Sequence, residues 1–313
     1  MKVAFLTNHI SYGGTEVALY DYAHFNETLL GNQSIVITRD YRSTHEEIYV
    51  KFAKRFPVFY ITTQRDIDRI VTHEHVDCLY VIKSGEVDWF YTTKCKTIVH
   101  CVFTTRFPHG SIYCCISESL NRMYRTQVPV LPHMIHMDTH DVSFRNELGI
   151  PDTSIVVGRY GSYDTFDIPF VYSTILHLLE KYPTLYFFFM NTKEFAKHPR
   201  ILYLPRTTDL YVKRKFINTC NVMLHARTRG ETFGLSCGEF AVCDKPILTF
   251  AHSPERAHIE ILGNQCVQYG TKEDLLRIFE TNSWKIDMKN NGYLRYTPER
   301  VMSVFNTFIT NLA

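Results

Sequence analysis

The chain has 313 residues, a formal net charge of +2, 45% hydrophobic residues and 21% charged residues. Single cores stop growing near roughly 250–300 residues, so two domains of roughly 130–170 residues each are expected, with a globular composition that excludes a disordered chain. A near-neutral charge gives no global electrostatic case for nucleic acid, and the short run Lys213-Arg214-Lys215 reads as a solvated helix face.

Nine cysteines at irregular spacing, with no Cys-x-x-Cys pair, argue against a disulfide framework and against zinc. Most sit in apolar runs as small buried hydrophobes, which fits a reducing, cytoplasmic compartment. The apolar stretch after Met1 is too short for a signal peptide, and no run of about 18 apolar residues marks a membrane span. Peripheral membrane contact stays open.

In chain order, Val3–Leu6 reads as a buried first strand. The turn Ser11-Tyr12-Gly13-Gly14 follows, and Thr15 can cap a helix running to about Leu30. Ser34–Thr38, Val58–Ile61, Cys78–Ile82, Thr97–Phe103 and Ile112–Ser117 read as further strands, with helices at His45–Lys54 and Gln64–Thr72. Short apolar strands alternating with helices predict a parallel sheet covered on both faces. The proline-containing stretch Val128–Asp152 reads as the crossing between domains plus a short helix.

The alternation then restarts. Ser154–Gly158, Thr184–Met190, Ile201–Leu204, Asn221–His225 and Pro246–Phe250 read as strands. Ile168–Lys181, Asp209–Asn218, Gly234–Val242, Glu273–Glu280 and Pro298–Leu312 read as helices. The sequence thus predicts two Rossmann-like, doubly wound α/β domains facing across a cleft, residues 1–137 and residues 138–297. Residues 298–313 form a helix expected to pack back on the first. Ligands of such sheets bind outside the carboxyl ends of the strands, and a cleft between domains suits a small molecule.

The most informative segment is Arg229-Gly230-Glu231-Thr232-Phe233-Gly234-Leu235-Ser236-Cys237-Gly238-Glu239. It follows a strand and opens a helix. Glu231 falls in the loop, with Glu239 about two turns into the helix near the same face. Gly234 lets a ligand approach the backbone, and the free N–H groups of the first turn suit an anion. That arrangement fits a diphosphate flanked by a sugar and a ribose, whose hydroxyls donate to carboxylates. Arg159, at a strand end beside Gly158 and Gly161, suits a phosphate contact, or alternatively a surface ion pair. His100 ends the apolar run Thr97-Ile98-Val99-His100 and serves equally as a core histidine. Gly13 and Gly14 admit a phosphate or sugar, or simply make a turn. Ser117 starts a helix or meets ligand, and Tyr203–Arg206 lies at another strand end, where a base would sit.

Glu231, seven residues, then Glu239-Phe240-Ala241-Val242-Cys243-Asp244-Lys245-Pro246-Ile247 resembles the signature of the family 4 retaining glycosyltransferases, with Asp244 where glycine is common. Gly13-Gly14-Thr15-Glu16, Ile116-Ser117-Glu118-Ser119 and Val157-Gly158-Arg159 resemble further family segments in the same order. The resemblance implies the GT-B fold and retaining transfer from a nucleoside-diphosphate sugar to a hydroxyl acceptor on a glycan, lipid or small molecule, with no metal and no separate cofactor. It implies catalytic roles for Glu231 near the donor sugar, His100 and Arg159. Donor binding falls to Glu239 at the ribose, Arg159 at the diphosphate, and Gly13, Gly14, Phe233, Gly234, Leu235 and Arg229. One position departs: the family's lysine five residues after that arginine is Asp164, and Arg227 or Arg229 is the replacement cation at hand. The departure keeps open a catalytically impaired nucleotide-sugar or glycan-binding protein of the same fold. A sugar-nucleotide epimerase and an unrelated nucleotide-binding protein are further alternatives.

Overall fold

A computed structural model describes residues 1–39 and 45–310 of the chain. It divides into two compact units, Met1–Met134 with Tyr296–Ala313, and Ile135–Arg295.

The first unit runs β1 (Lys2–Thr7), α1 (Gly14–Thr28), β2 (Gln33–Arg39), α2 (Glu46–Ala53), β3 (Val58–Ile61), α3 (Gln64–His73), β4 (Cys78–Lys83), β5 (Lys96–Cys101), β6 (Ile112–Cys115) and α4 (Glu118–Tyr124). Its six strands are parallel in the order β3-β2-β1-β4-β5-β6. The central strands are continuous apolar runs because helices cover both faces: β4 is buried along its whole length. In α3, Ile67, Ile70 and Val71 share the buried face, and Thr63 and Asp66 form a capping box at its start. The last helix of the chain, Pro298–Thr310, buries Val301, Met302, Phe305 and Ile309. Phe305 is fully buried among Phe5, Tyr22 and Tyr80, with ring centroids 5.5–6.1 Å away. The sequence-predicted end of this helix at Leu312 lies outside the described residues.

The second unit runs β7 (Ile155–Tyr160), α5 (Pro169–Lys181), β8 (Leu185–Met190), β9 (Ile201–Leu204), α6 (Leu210–Thr219), β10 (Val222–His225), β11 (Gly230–Glu231), α7 (Leu235–Ala241), β12 (Ile247–Phe250), β13 (Glu255–Arg256), α8 (Ala257–Leu262), β14 (Val267–Tyr269) and α9 (Lys272–Glu280). Its main sheet is again parallel, β14-β12-β10-β7-β8-β9. In each unit the first strand lies beside the fourth, so the strand order reverses between them. A crevice at such a switch point is where open α/β sheets bind ligands. The switch points fall at β1/β4 and at β7/β10.

Three local expectations are corrected. Thr15 does not cap α1: Gly13 is the cap residue and, being glycine, offers no side-chain bond. The crossing stretch forms no short helix. It makes a single turn at residues 144–149, followed by Pro151, and the Arg145 guanidinium ties it to the carbonyls of Pro151 and Ser154 and to Asn221. Helix α8 and strands β11, β13 and β14 were not anticipated; each has six residues or fewer, too short to show a period, whereas Ser117 starts α4, one of the two roles read for that residue. All nine cysteines are free thiols.

Phe305→Ala is expected to lower stability by about 3–5 kcal/mol, since a fully buried ring is lost from a packed aromatic cluster. Urea unfolding measures this directly, and a loss below about 1 kcal/mol would mean that the last helix contributes little to the first unit.

Candidate functional site

The loops after β7 and β10 flank the switch point of the second unit, and the sequence-predicted residues Arg159 and Glu231 both stand there. Arg159 has 4% of its surface exposed. One guanidinium nitrogen donates to the Asn191 carbonyl (3.2 Å) and Thr192 Oγ1 (2.5 Å), the other to the Ser162 carbonyl (2.9 Å) and Thr165 Oγ1 (2.7 Å). All four acceptors are uncharged. Burial pulls the Arg159 pKa down to about 10, and the Glu231 charge opposes that shift. Arg159 is therefore neither exposed nor in a surface ion pair. It locks the loops after β7 and β8 and holds an internal positive charge beside Glu231. Both terminal nitrogens of its fork have internal acceptors.

Glu231 is held through both carboxylate oxygens. Its Oε2 accepts from Arg227 (2.9 Å), and its Oε1 lies 3.2 Å from His225 Nε2. His225 Nδ1 is 3.0 Å from Thr249 Oγ1, which is 2.8 Å from His258 Nε2. Burial alone would raise the Glu231 pKa, but the His225 hydrogen bond and the Arg227 charge outweigh it and hold the pKa at about 2. Burial holds His258 neutral, well below its ordinary value. With Glu231 ionised, His225 Nε2–H donates to Glu231, and Thr249 links the other nitrogen of His225 to His258. Thr249 and His258 are fully buried. Three residues that sequence reasoning passed over thus orient the one it selected. Nothing local signals them, since they come from the end of β10, from β12 and from α8.

Gly234 opens α7 at φ +87°, in the left-handed region that glycine favours. A Cβ there would stand 3.0 Å from Tyr293 Oη, 3.1 Å from His258 Cβ and 3.3 Å from Glu231 Cβ, so the residue permits the approach of the carboxylate and its supports. Phe233 is a core residue: it is 2% exposed, packs edge-on against Tyr293, and its carbonyl accepts from the Tyr293 hydroxyl. Leu235 is half-buried at the helix start. Arg229 is turned aside to Glu255, with Nε 2.7 Å from Oε1. Of the two candidate replacement cations, only Arg227 faces Glu231.

Glu239 is 4% exposed, and its Oε1 accepts from Lys213 Nζ at 2.9 Å. Lys213 also lies 5.4 Å from the centre of the Tyr160 ring. This corrects the reading of Lys213-Arg214-Lys215 as a solvated face. Lys213 shares the buried stripe of α6 with Phe216 and Ile217, a three-to-four-residue spacing that the sequence does carry. Arg214 donates to the His140 carbonyl and lies against Cys243 Sγ.

The remaining candidates fall elsewhere. His100 has no exposed surface. It lies 2.6 Å from Tyr80 Oη and packs against Tyr22 and His133, and burial pushes its pKa down to about 3. The strand carries it inward among the core residues of the first unit, the second of the two roles read for it from the sequence. Gly13 stands where a Cβ would come within 2.5 Å of Glu16 Oε2, so it makes room for the protein's own carboxylate. Gly14 is exposed at the start of α1. Ser117 caps α4, accepting from the Leu120 N–H. The Tyr203 hydroxyl bonds the Phe195 N–H and the Ala196 carbonyl. Among the described residues no group of three or more His, Cys, Asp or Glu is placed to hold a metal, and no helix is long and apolar enough to cross a membrane.

With this geometry in place, solved structures supply the comparison. HepE of Anabaena, solved with UDP-glucose, superposes with a TM-score of 0.76 at 15% identity, covering 99% of this chain and 100% of its own. A glycosyltransferase from Rickettsia africae gives 0.76 at 10% identity over 99% and 98% of the two chains. Sucrose-phosphate synthase from Thermosynechococcus elongatus gives 0.73 at 12% identity over 100% and 99%. No protein-family model and no curated protein matches the sequence. At these identities the likeness establishes architecture: the chain has the α/β, two-domain GT-B fold.

Two outcomes follow from the charges. Glu231 titrates at about 2 in the folded chain against an ordinary 4.5, so its stabilising contribution is complete above pH 4.5 and lost as pH falls through 2. The stability difference between wild type and Glu231→Gln should be flat above about pH 5 and shrink on acidification. A difference that grew toward acid would show that folding raises the carboxyl pKa instead of lowering it. Lys213→Met should cost about 3 kcal/mol in urea unfolding by leaving Glu239 buried without its lysine, and Lys213→Met with Glu239→Leu should recover most of it.

Proposed function

We propose that the chain is a retaining glycosyltransferase of the family 4 type, moving a glycosyl group from a nucleoside-diphosphate sugar to a hydroxyl acceptor on a glycan, lipid or small molecule without a metal. The observation that carries this reading is Glu231. An ionised carboxylate is held rigidly at the switch point of the second unit and flanked by two arginines. The resemblance puts a donor-sugar ligand at this position, and HepE, of the same fold, was solved with UDP-glucose. Uridine diphosphate sugars are therefore the first donors to test.

In this reading Glu231 accepts hydrogen bonds from donor-sugar hydroxyls. Arg227, whose side chain is 21% exposed, meets the diphosphate directly. Arg159 adds a buried positive charge behind it. These fixed charges stabilise the leaving diphosphate as its bond to the anomeric carbon breaks. The acceptor oxygen bonds to the same face of that carbon, and its proton passes to the departing phosphate oxygen. The products are the glycoside and the nucleoside diphosphate, with configuration retained. Glu239, paired with Lys213, is proposed to take the ribose. Residues 1–137 are proposed as the acceptor side and 138–297 as the donor side, in a cytoplasmic protein.

A binding-only protein is the second reading. It is favoured by Asp164 at the family's lysine position and by the engagement of Arg159 with internal acceptors.

Thermal unfolding with UDP-, GDP- and ADP-sugars tests the donor site. A ligand at about 100 times its Kd adds about 2.7 kcal/mol of stability. One donor class is expected to stabilise wild type, with Arg227→Ala and Glu231→Gln weakening it at least tenfold. Donor hydrolysis or transfer then separates enzyme from binder. If no nucleotide sugar stabilises wild type, the donor reading is abandoned.

A further inference from the structure

At the other switch point, β1/β4 of the first unit, lies a cavity of about 430 Å³. The ends of β1, β4 and β5 and the start of α1 enclose it. Its lining combines aromatic rings, including Trp89 and Phe103, with the charged groups Glu16, Arg39, Lys83 and Asp88.

These groups are built in, not scattered. The Lys83 side chain is 5% exposed; its Nζ lies 2.5 Å from Asp88 Oδ1 and 3.2 Å from His109 Nε2. Asp88 Oδ1 also accepts from the Phe90 N–H at 2.9 Å, while the side chain keeps 35% exposure. The Arg39 guanidinium stands over the Trp89 ring at 5.8 Å. Glu16, 5% exposed in the first turn of α1, accepts from Thr7 Oγ1 (3.2 Å) and Ser11 Oγ (2.8 Å). That places the protein's own carboxylate where a helix N-terminus would otherwise attract an anion.

We propose that this cavity is a saccharide site that takes an uncharged, hydroxyl-rich ring. Among the described residues the two cations of the lining, Arg39 and Lys83, are matched by the two carboxylates of Glu16 and Asp88, so these groups offer no net charge to an ionic ligand. Glu16 repels a phosphate from the one backbone position suited to hold it. An alkyl chain would strip water from Lys83, Asp88 and Glu16 without replacing its hydrogen bonds. A sugar ring satisfies both kinds of surface: its C–H face lies on an aromatic ring, and its hydroxyls meet fixed charged donors and acceptors. The volume falls within the range of small-molecule pockets, about 300–1,000 Å³. As the acceptor of the proposed transfer, this ring rests on the transferase reading; as a binding site it does not.

The chain has two tryptophans, so in Trp284→Phe protein the fluorescence reports Trp89 alone. The probes are the methyl glycosides of glucose, galactose, mannose and N-acetylglucosamine and their 6-phosphates, with no nucleotide present. At least one glycoside is expected to give a saturable change, with its 6-phosphate binding at least tenfold more weakly. Thr15→Tyr, which fills the cavity and leaves every charge in place, and Asp88→Asn are each expected to weaken binding at least tenfold. A saturable change with no glycoside, a 6-phosphate that binds as well as its parent, or full binding by Thr15→Tyr would each overturn the proposal. Because no donor is present, failure of the nucleotide-sugar measurement removes the acceptor role but leaves the saccharide site to stand or fall on these data.

Discussion

The second unit depends on keeping one carboxylate ionised in a place that disfavours charge. Glu231 sits at the strand ends with most of its surface covered, and burial by itself would push it toward protonation. Arg227 on one oxygen and His225 on the other reverse that tendency. Thr249 and His258 line up behind the other nitrogen of that histidine and orient its ring. Gly234 completes the arrangement, since any side chain there would displace Glu231, His258 or Tyr293. Sheet, helix start and loop all serve the orientation of two oxygens.

The two units use the same strand order for different chemistry. At β7/β10 the charges are a held carboxylate with two arginines, a field suited to a diphosphate and its sugar. At β1/β4 the helix N-terminus is already occupied by Glu16, and the remaining charges are paired around a partly aromatic cavity. A single topological rule places both crevices, and the side chains give them different charge arrangements. The charges held inside the structure explain why a chain of net charge +2 carries sharply defined local fields.

The buried pair Lys213–Glu239 shows how position overrides composition. A run of three basic residues ordinarily faces solvent, yet α6 turns only its first lysine inward, against Tyr160 and Glu239. His100 shows the reverse. A polar residue at a strand end suggests a ligand contact, but the pleat and the aromatic packing around Tyr80 and Tyr22 make it part of a core.

What the sequence determined by itself was whatever local periodicity and a spaced motif can encode. Alternating apolar runs specified nearly every long strand and helix. Two successive alternations specified a two-domain α/β chain, and the segment Arg229–Glu239 specified where the second unit's chemistry gathers. These signals are local because each needs only neighbours along the chain. The tertiary structure alone decided which side chains meet. It brought Thr249 and His258 to Glu231 through His225, Lys213 to Glu239, Asp88 to Lys83, and Glu16 into the space left by Gly13. It also turned His100 and Arg159 inward. Contacts of this kind join residues from separate elements, and their geometry follows from strand order, register and side-chain direction, which no single stretch of sequence carries.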